Sequence, residues 1–189
     1  VFVMASKWID MRDMKFLLHE VLNISDEYLG KEPFADHDVD MVNMVLDQAQ
    51  KFAENDISPT FHDEAHGKPI EAIFKDGKVY APEAYHKLWK TYGENGWLAV
   101  SDSPDVGGQG FPEIIGAACA NMFLSTNQAF TMYPGLTHGA AKLVKSTPIT
   151  TYGARADERG MRWQAVRATA ECGGPGDDPA GDWRSRPTG

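Results

Sequence analysis

Apolar residues recur at helical spacing through most of the first 145 positions. Met11, Met14, Leu17, Leu18, Val21 and Leu22 fall three and four apart, with Asp10 ahead and Asn23 behind, which predicts a short amphipathic helix over about 11–22. The same period predicts a longer helix from about Asp38 to Ile57. Met41, Val42, Val45, Leu46, Ala49 and Phe52 share one of its faces, Asp40, Asn43, Asp47 and Lys51 the other, and Pro59 ends it. Residues 58–81 read as a polar connection, with Asp76-Gly77 a turn between two short extended pieces. Pro82 and Glu83 then open a third helix carrying Tyr85, Leu88, Trp89 and Tyr92, ended by the glycines at 93 and 96. After Trp97–Val100 and a turn-rich stretch over 101–110 come a fourth helix, about 112–123, and a helical segment, 128–144. Pro134-Gly135 is expected to kink or break that segment. The fold class is all-α with at most trivial strands, in one main domain.

Composition changes the picture at the C-terminal end. Residues 1–145 hold eleven lysines and one arginine, Arg12, whereas 146–189 hold six arginines and no lysine. Gly and Pro supply 11 of those last 44 residues, and Leu, Ile, Val and Phe only two, Ile149 and Val166. Such a stretch cannot bury enough apolar surface to offset its ordering entropy, so a disordered tail is expected from about Ser146. It reads as a natural tail, as a segment that folds on a partner, or as residues out of frame or joined from another sequence. An abrupt switch from Lys to Arg, Gly and Pro is what a shifted frame in GC-rich DNA produces. The expected division is 1–37, an extension with one helix; 38–145, the helical domain; and 146–189, the tail.

The formal charge of −9 repels phosphate backbones and anionic lipid, so neither nucleic acid nor membrane is an expected partner. No apolar run approaches the ~20 residues of a bilayer span. VFVMASKW does not read as a secretory leader, and the chain reads as cytoplasmic.

Candidate chemistry is sparse. Residues 62–66 read HDEAH. The metalloprotease pattern needs Glu directly after the first His, where Asp63 stands, and Pro59 and Gly67 put the run in a loop, so it reads as polar surface and no metal is expected. Gly107, Gly108 and Gly110 match neither dinucleotide-binding nor P-loop spacing and read as a tight turn into a helix. His138 reads as a packed or surface imidazole, and Cys119 and Cys172 as reduced and without a partner for nucleophilic work. No catalytic set stands out.

Four segments in order carry more. MRDMKFLLHEVLN, SPTFHDEAHGKPIE, WLAVSDSPDVGGQGFPEI and MYPGLTHGAAKLV together resemble the N-terminal helical domain of an acyl-CoA dehydrogenase, and more narrowly the branch carrying an additional N-terminal helix. The resemblance covers about Asp10 to Lys145. It implies an acyl-CoA substrate oxidised to 2-enoyl-CoA, as in fatty-acid β-oxidation, with FAD as hydride acceptor and a glutamate taking the α-proton. In the family the helix pair after the GGQG turn walls the acyl pocket, which implies substrate contacts at Ser125, Phe130, Tyr133 and Leu136; each of these equally suits a helical core. The TEP and AGSD signatures of the middle domain do not follow the last matching helix. The catalytic glutamate and most flavin contacts therefore have no counterpart here, and the chain alone is expected to be inactive. The alternative is a helical binding module that self-associates or docks on a full-length relative.

Overall fold

Asp10 starts the first helix: its carboxylate accepts from the amides of Arg12 (3.0 Å) and Asp13 (3.2 Å), two of the donors a helix start leaves without partners. The computed structural model describes residues 8–63 and 68–146. In it α1 (Met11–Phe16) widens into a π-helical turn, Leu17–Val21. Asn23, at φ 47°, then breaks the run, and a further single turn, α2 (Ile24–Glu27), follows that the periodicity did not predict. α3 (Val39–Phe52) is capped by Asp38, whose carboxylate accepts from Met41 N–H at 2.8 Å. It continues through a second π-helical turn, Ala53–Ile57, and ends at Ser58–Thr60, the turn that holds Pro59.

Two antiparallel ribbons follow: β1 (His62–Asp63) with β2 (Lys68–Pro69), and β3 (Ile73–Lys75) with β4 (Lys78–Tyr80). The turn between β3 and β4 holds Asp76 at φ 53° and Gly77 at φ 76°, the twist a two-residue hairpin loop requires. α4 (Glu83–Glu94) begins after Pro82 as expected, but Gly93 lies in its last turn and only Gly96, at φ 77°, stands beyond its end. α5 (Glu113–Thr126) and α6 (Gln128–Ser146) complete the described residues. The tail reading, 147–189, and residues 64–67 lie outside the described residues.

Among the described residues the fold is all-α apart from the ribbons, because the amphipathic helices bury their apolar stripes against one another. Val42, Leu46 and Ala49 of α3 face Ile115, Met122 and Phe123 of α5, all at most 1% exposed, and Leu18 and Ile24 join the same core. An aromatic series crosses it: Phe52 to Phe123 (5.9 Å), Phe123 to Tyr92 (5.5 Å), Tyr92 to Phe130 (5.7 Å) and Phe130 to Tyr85 (5.4 Å), each near edge-to-face, the geometry aromatic quadrupoles favour. Lys15 Nζ to Asp47 Oδ1 (2.8 Å) and His19 Nε2 to Asn43 Oδ1 (3.1 Å) tie the first helix to α3.

Of the kink or break expected at Pro134-Gly135, the break does not occur. α6 runs unbroken through Pro134-Gly135, although a mid-helix proline costs about 3 kcal/mol. Contacts on both sides hold it: Phe130 is in the core one turn before, and His138 and Lys142 are paired to other elements beyond.

Candidate functional site

A groove of about 380 Å³ lies between α5, α6 and the 97–101 segment. Its floor is apolar, with Trp97, Leu98, Cys119 and Phe123, and Leu124 and Met132 stand at its edge, 43% and 48% exposed. Ser101, Glu113, His138 and Lys142 make it polar at one end. There Lys142 Nζ donates to Glu113 Oε1 at 2.6 Å, and His138 Nε2 lies 3.3 Å from the buried Asp102 Oδ2. Two side chains one turn apart on α6 thus pin it to the start of α5 and to the preceding loop.

The Lys142 hydrogen bond holds the Glu113 carboxyl below the usual carboxylate range, aided by a hydrogen bond from Ser101 and by the charges of Lys142 and His138, against a smaller opposing effect of burial. Such a carboxylate is a poor proton acceptor near neutral pH. Burial pushes the Cys119 thiol up to about 12 and raises Tyr92 above its ordinary value, with Cys119 adding to the latter. Neither supplies a nucleophile or a base near neutrality. The groove can therefore take an apolar segment, but it offers no group poised for proton transfer.

The loop from Ser101 to Phe111 is closed on itself. Gly107 N–H donates to Pro104 (2.9 Å), Gly108 to Ser103 (3.1 Å), Gln109 to Ala99 (2.9 Å), Gly110 to Asp102 (2.9 Å) and Phe111 to Val100 (3.0 Å), in every case to the carbonyl oxygen. A methyl group on Gly108 would overlap the Asp102 carbonyl. Gly108 permits this close approach, while Gly107 and Gly110 take positive φ, 87° and 72°. With all five amides used, the turn has none left for a phosphate, so it does not fit the pyrophosphate of a flavin dinucleotide.

The four residues drawn from the resemblance lie at the α5–α6 corner. Phe130 is buried, edge-on to Tyr85 and Tyr92. Tyr133 also meets Tyr85, at 6.0 Å, yet is 46% exposed; Leu136 is 68% exposed. Ser125 is exposed and donates to Met122 O at 2.8 Å. None of the four lines the groove, whose α6 wall is Thr131, Pro134, Gly135 and His138. His62 stands in β1, while His66 lies outside the described residues. No cluster of three or more His, Cys, Asp or Glu with metal-binding geometry occurs among the described residues, and no helix among them is long and apolar enough to cross a membrane.

The corner itself depends on a residue the sequence reading passed over. Asn127, 1% exposed, accepts from Phe130 N–H at 3.0 Å, the N3 donor of α6, and its amide donates to Thr60 Oγ1 (3.0 Å) and Tyr85 OH (3.3 Å). One side chain joins three elements. Its place immediately before an apolar helical run is the signal that marks a cap.

No family model matches the chain. Over 137 residues, 72% of its length, it is 26% identical to a 3-methylmercaptopropionyl-CoA dehydrogenase of Ruegeria pomeroyi. Over 126 residues, 67% of its length, it is 31% identical to the broad-specificity linear acyl-CoA dehydrogenase FadE5 of Mycobacterium tuberculosis. The matched part spans 23% and 20% of those two proteins. The chain is thus similar, over some two thirds of its length, to about a fifth of two acyl-CoA dehydrogenases.

Proposed function

We propose that residues 10–145 form the N-terminal helical part of an FAD-dependent acyl-CoA dehydrogenase, of the branch with an additional N-terminal helix. One observation carries this reading: the likeness to two acyl-CoA dehydrogenases over 67% and 72% of the chain, on a mostly helical fold. The reaction is removal of hydrogen from Cα and Cβ of an acyl-CoA thioester, with FAD accepting the hydride. The described residues do not fit the flavin by themselves, and no step is assigned to them through it. Their contribution is an apolar wall. Phe130 is fixed by its two tyrosine neighbours, and Tyr133 and Leu136 are left exposed to meet an acyl chain, with Ser125 at the corner.

The chain alone is inactive in this reading. Glu113, the carboxylate in the groove, is paired with Lys142 and held ionised. The test mixes the purified chain with FAD and medium- and long-chain acyl-CoA and follows reduction of a ferrocenium acceptor. Rates equal to buffer are expected, and robust substrate-dependent reduction would overturn the reading.

A second reading rests on Leu124, Met132, Tyr133 and Leu136, which are 43–68% exposed on one pair of helices. A patch of that kind marks a binding surface, so the chain would dock on a full-length relative. Binding to an immobilised full-length acyl-CoA dehydrogenase, lost in Leu136→Asp, supports it; no binding by the unaltered chain removes it.

A further inference from the structure

The two halves of α6 are held in different ways. Before Pro134, Asn127 caps the helix, Phe130 lies in the core, and Thr131 is buried with its hydroxyl turned back to the carbonyls of Asn127 (3.1 Å) and Gln128 (3.0 Å). Beyond Pro134 none of the residues from 135 to 142 is buried, and Leu136 stands open to solvent. Polar pairs tie this half down: Lys142 to Glu113 at the start of α5, and His138 to Asp102 in the loop before it. Both partners of the first pair are exposed, 41% and 70%, and a pair in that setting holds weakly.

The junction between the halves is also weak as helix. Pro134 brings no N–H to the Phe130 carbonyl, and Gly135 and Gly139 have the backbone freedom that disfavours helix. Packing among the described residues requires neither glycine. A methyl group at either position would meet nothing within 4 Å, and neither takes a positive φ. This half is nevertheless part of the groove, where Gly135, His138, Gly139 and Lys142 stand with Cys119 and Phe123 of α5.

We propose that α6 beyond Pro134 is a strap over the groove. It hinges at Pro134-Gly135, is latched by the two polar pairs, and lifts from α5 to uncover the groove floor while residues 128–133 stay fixed in the core. Opening is local, because the strap takes no buried apolar side chain with it. The inference stands independently of the acyl-CoA reading.

Cys119, 1% exposed and on the groove, reports the opening. In the full 189-residue chain with Cys172→Ser, its labelling by an aromatic disulfide reagent at neutral pH is slow. The rate changes little up to about 1 M urea, because lifting the strap exposes far less surface than unfolding does. Lys142→Ala speeds labelling about threefold and His138→Ala about tenfold, whereas Gly135→Ala, which stiffens the hinge, slows it about fivefold. Hydrogen exchange followed by mass spectrometry gives a second measure: amides of 138–142 exchange at least about tenfold faster than those of 130–133. Labelling that follows global unfolding with its full urea dependence, a rate indifferent to Lys142→Ala and Gly135→Ala, or equal protection of the two halves overturns the proposal.

Discussion

Asn127 shows how much one buried amide can organise. It caps α6, reaches Thr60 after α3 and meets Tyr85 of α4, so its removal strands partners on three elements. Asn127→Ala should lower unfolding free energy by about 2–4 kcal/mol, combining a lost cap with unsatisfied buried groups, in urea denaturation followed by tryptophan fluorescence. A change near zero would mean water replaces those bonds. Gly108 makes the opposite point, since what matters there is the absence of a side chain. Gly108→Ala drives a methyl into the Asp102 carbonyl and should cost about 2 kcal/mol or more, seen as a lowered Tm, whereas a fully stable variant would mean that the loop opens cheaply. Cys119, buried and with its thiol pushed up to about 12, should resist an aromatic disulfide reagent at neutral pH in a Cys172→Ser background. It should react promptly in urea; fast native reaction would contradict the core described.

At the scale of elements, Lys142–Glu113 ties the far part of α6 to the start of α5, and His138–Asp102 ties it to the loop before α5. Because the Glu113 carboxyl is lower in the folded chain than its unfolded value of about 4.3, its contribution is present above that value and is lost as pH falls through the folded one. Unfolding free energy compared between pH 6 and pH 3 should therefore fall less for Glu113→Gln than for the unaltered chain. The difference should stay below about 1 kcal/mol because the pair is largely exposed. Most elements were legible from periodicity, and the caps Asp10 and Asp38, with Pro82 at the start of α4, marked where they begin. The π-helical turns were not, since the apolar pattern passes through them undisturbed; α2, one turn long, is too short to show a period. Pro134 misled because local propensity says nothing of the contacts holding the helix on either side. The groove's polar end was out of reach for a similar reason. Glu113 and Lys142 are 29 residues apart, and nothing in their local sequence marks them as neighbours. The closed glycine turn was legible, because its spacing already departed from every phosphate-binding pattern.

At the scale of the molecule, the described residues form a helical bundle with polar pairs fixing one end of a groove and apolar side chains exposed at the α5–α6 corner and on the hairpin. Over about two thirds of its length the chain is similar to two acyl-CoA dehydrogenases, of which the match spans about a fifth. Its turn amides are spent internally and its groove carboxylate is held in an ion pair. In the function proposed above, such a bundle would form part of a flavoenzyme without holding the flavin itself. The most direct test is the visible absorption spectrum of the purified chain after mixing with excess FAD and desalting. No retained flavin is the expected result, with the chain's helical signal intact. Flavin retained near one per chain, with the shifted and structured absorption of a bound isoalloxazine, would contradict it and make the chain a short dehydrogenase in its own right.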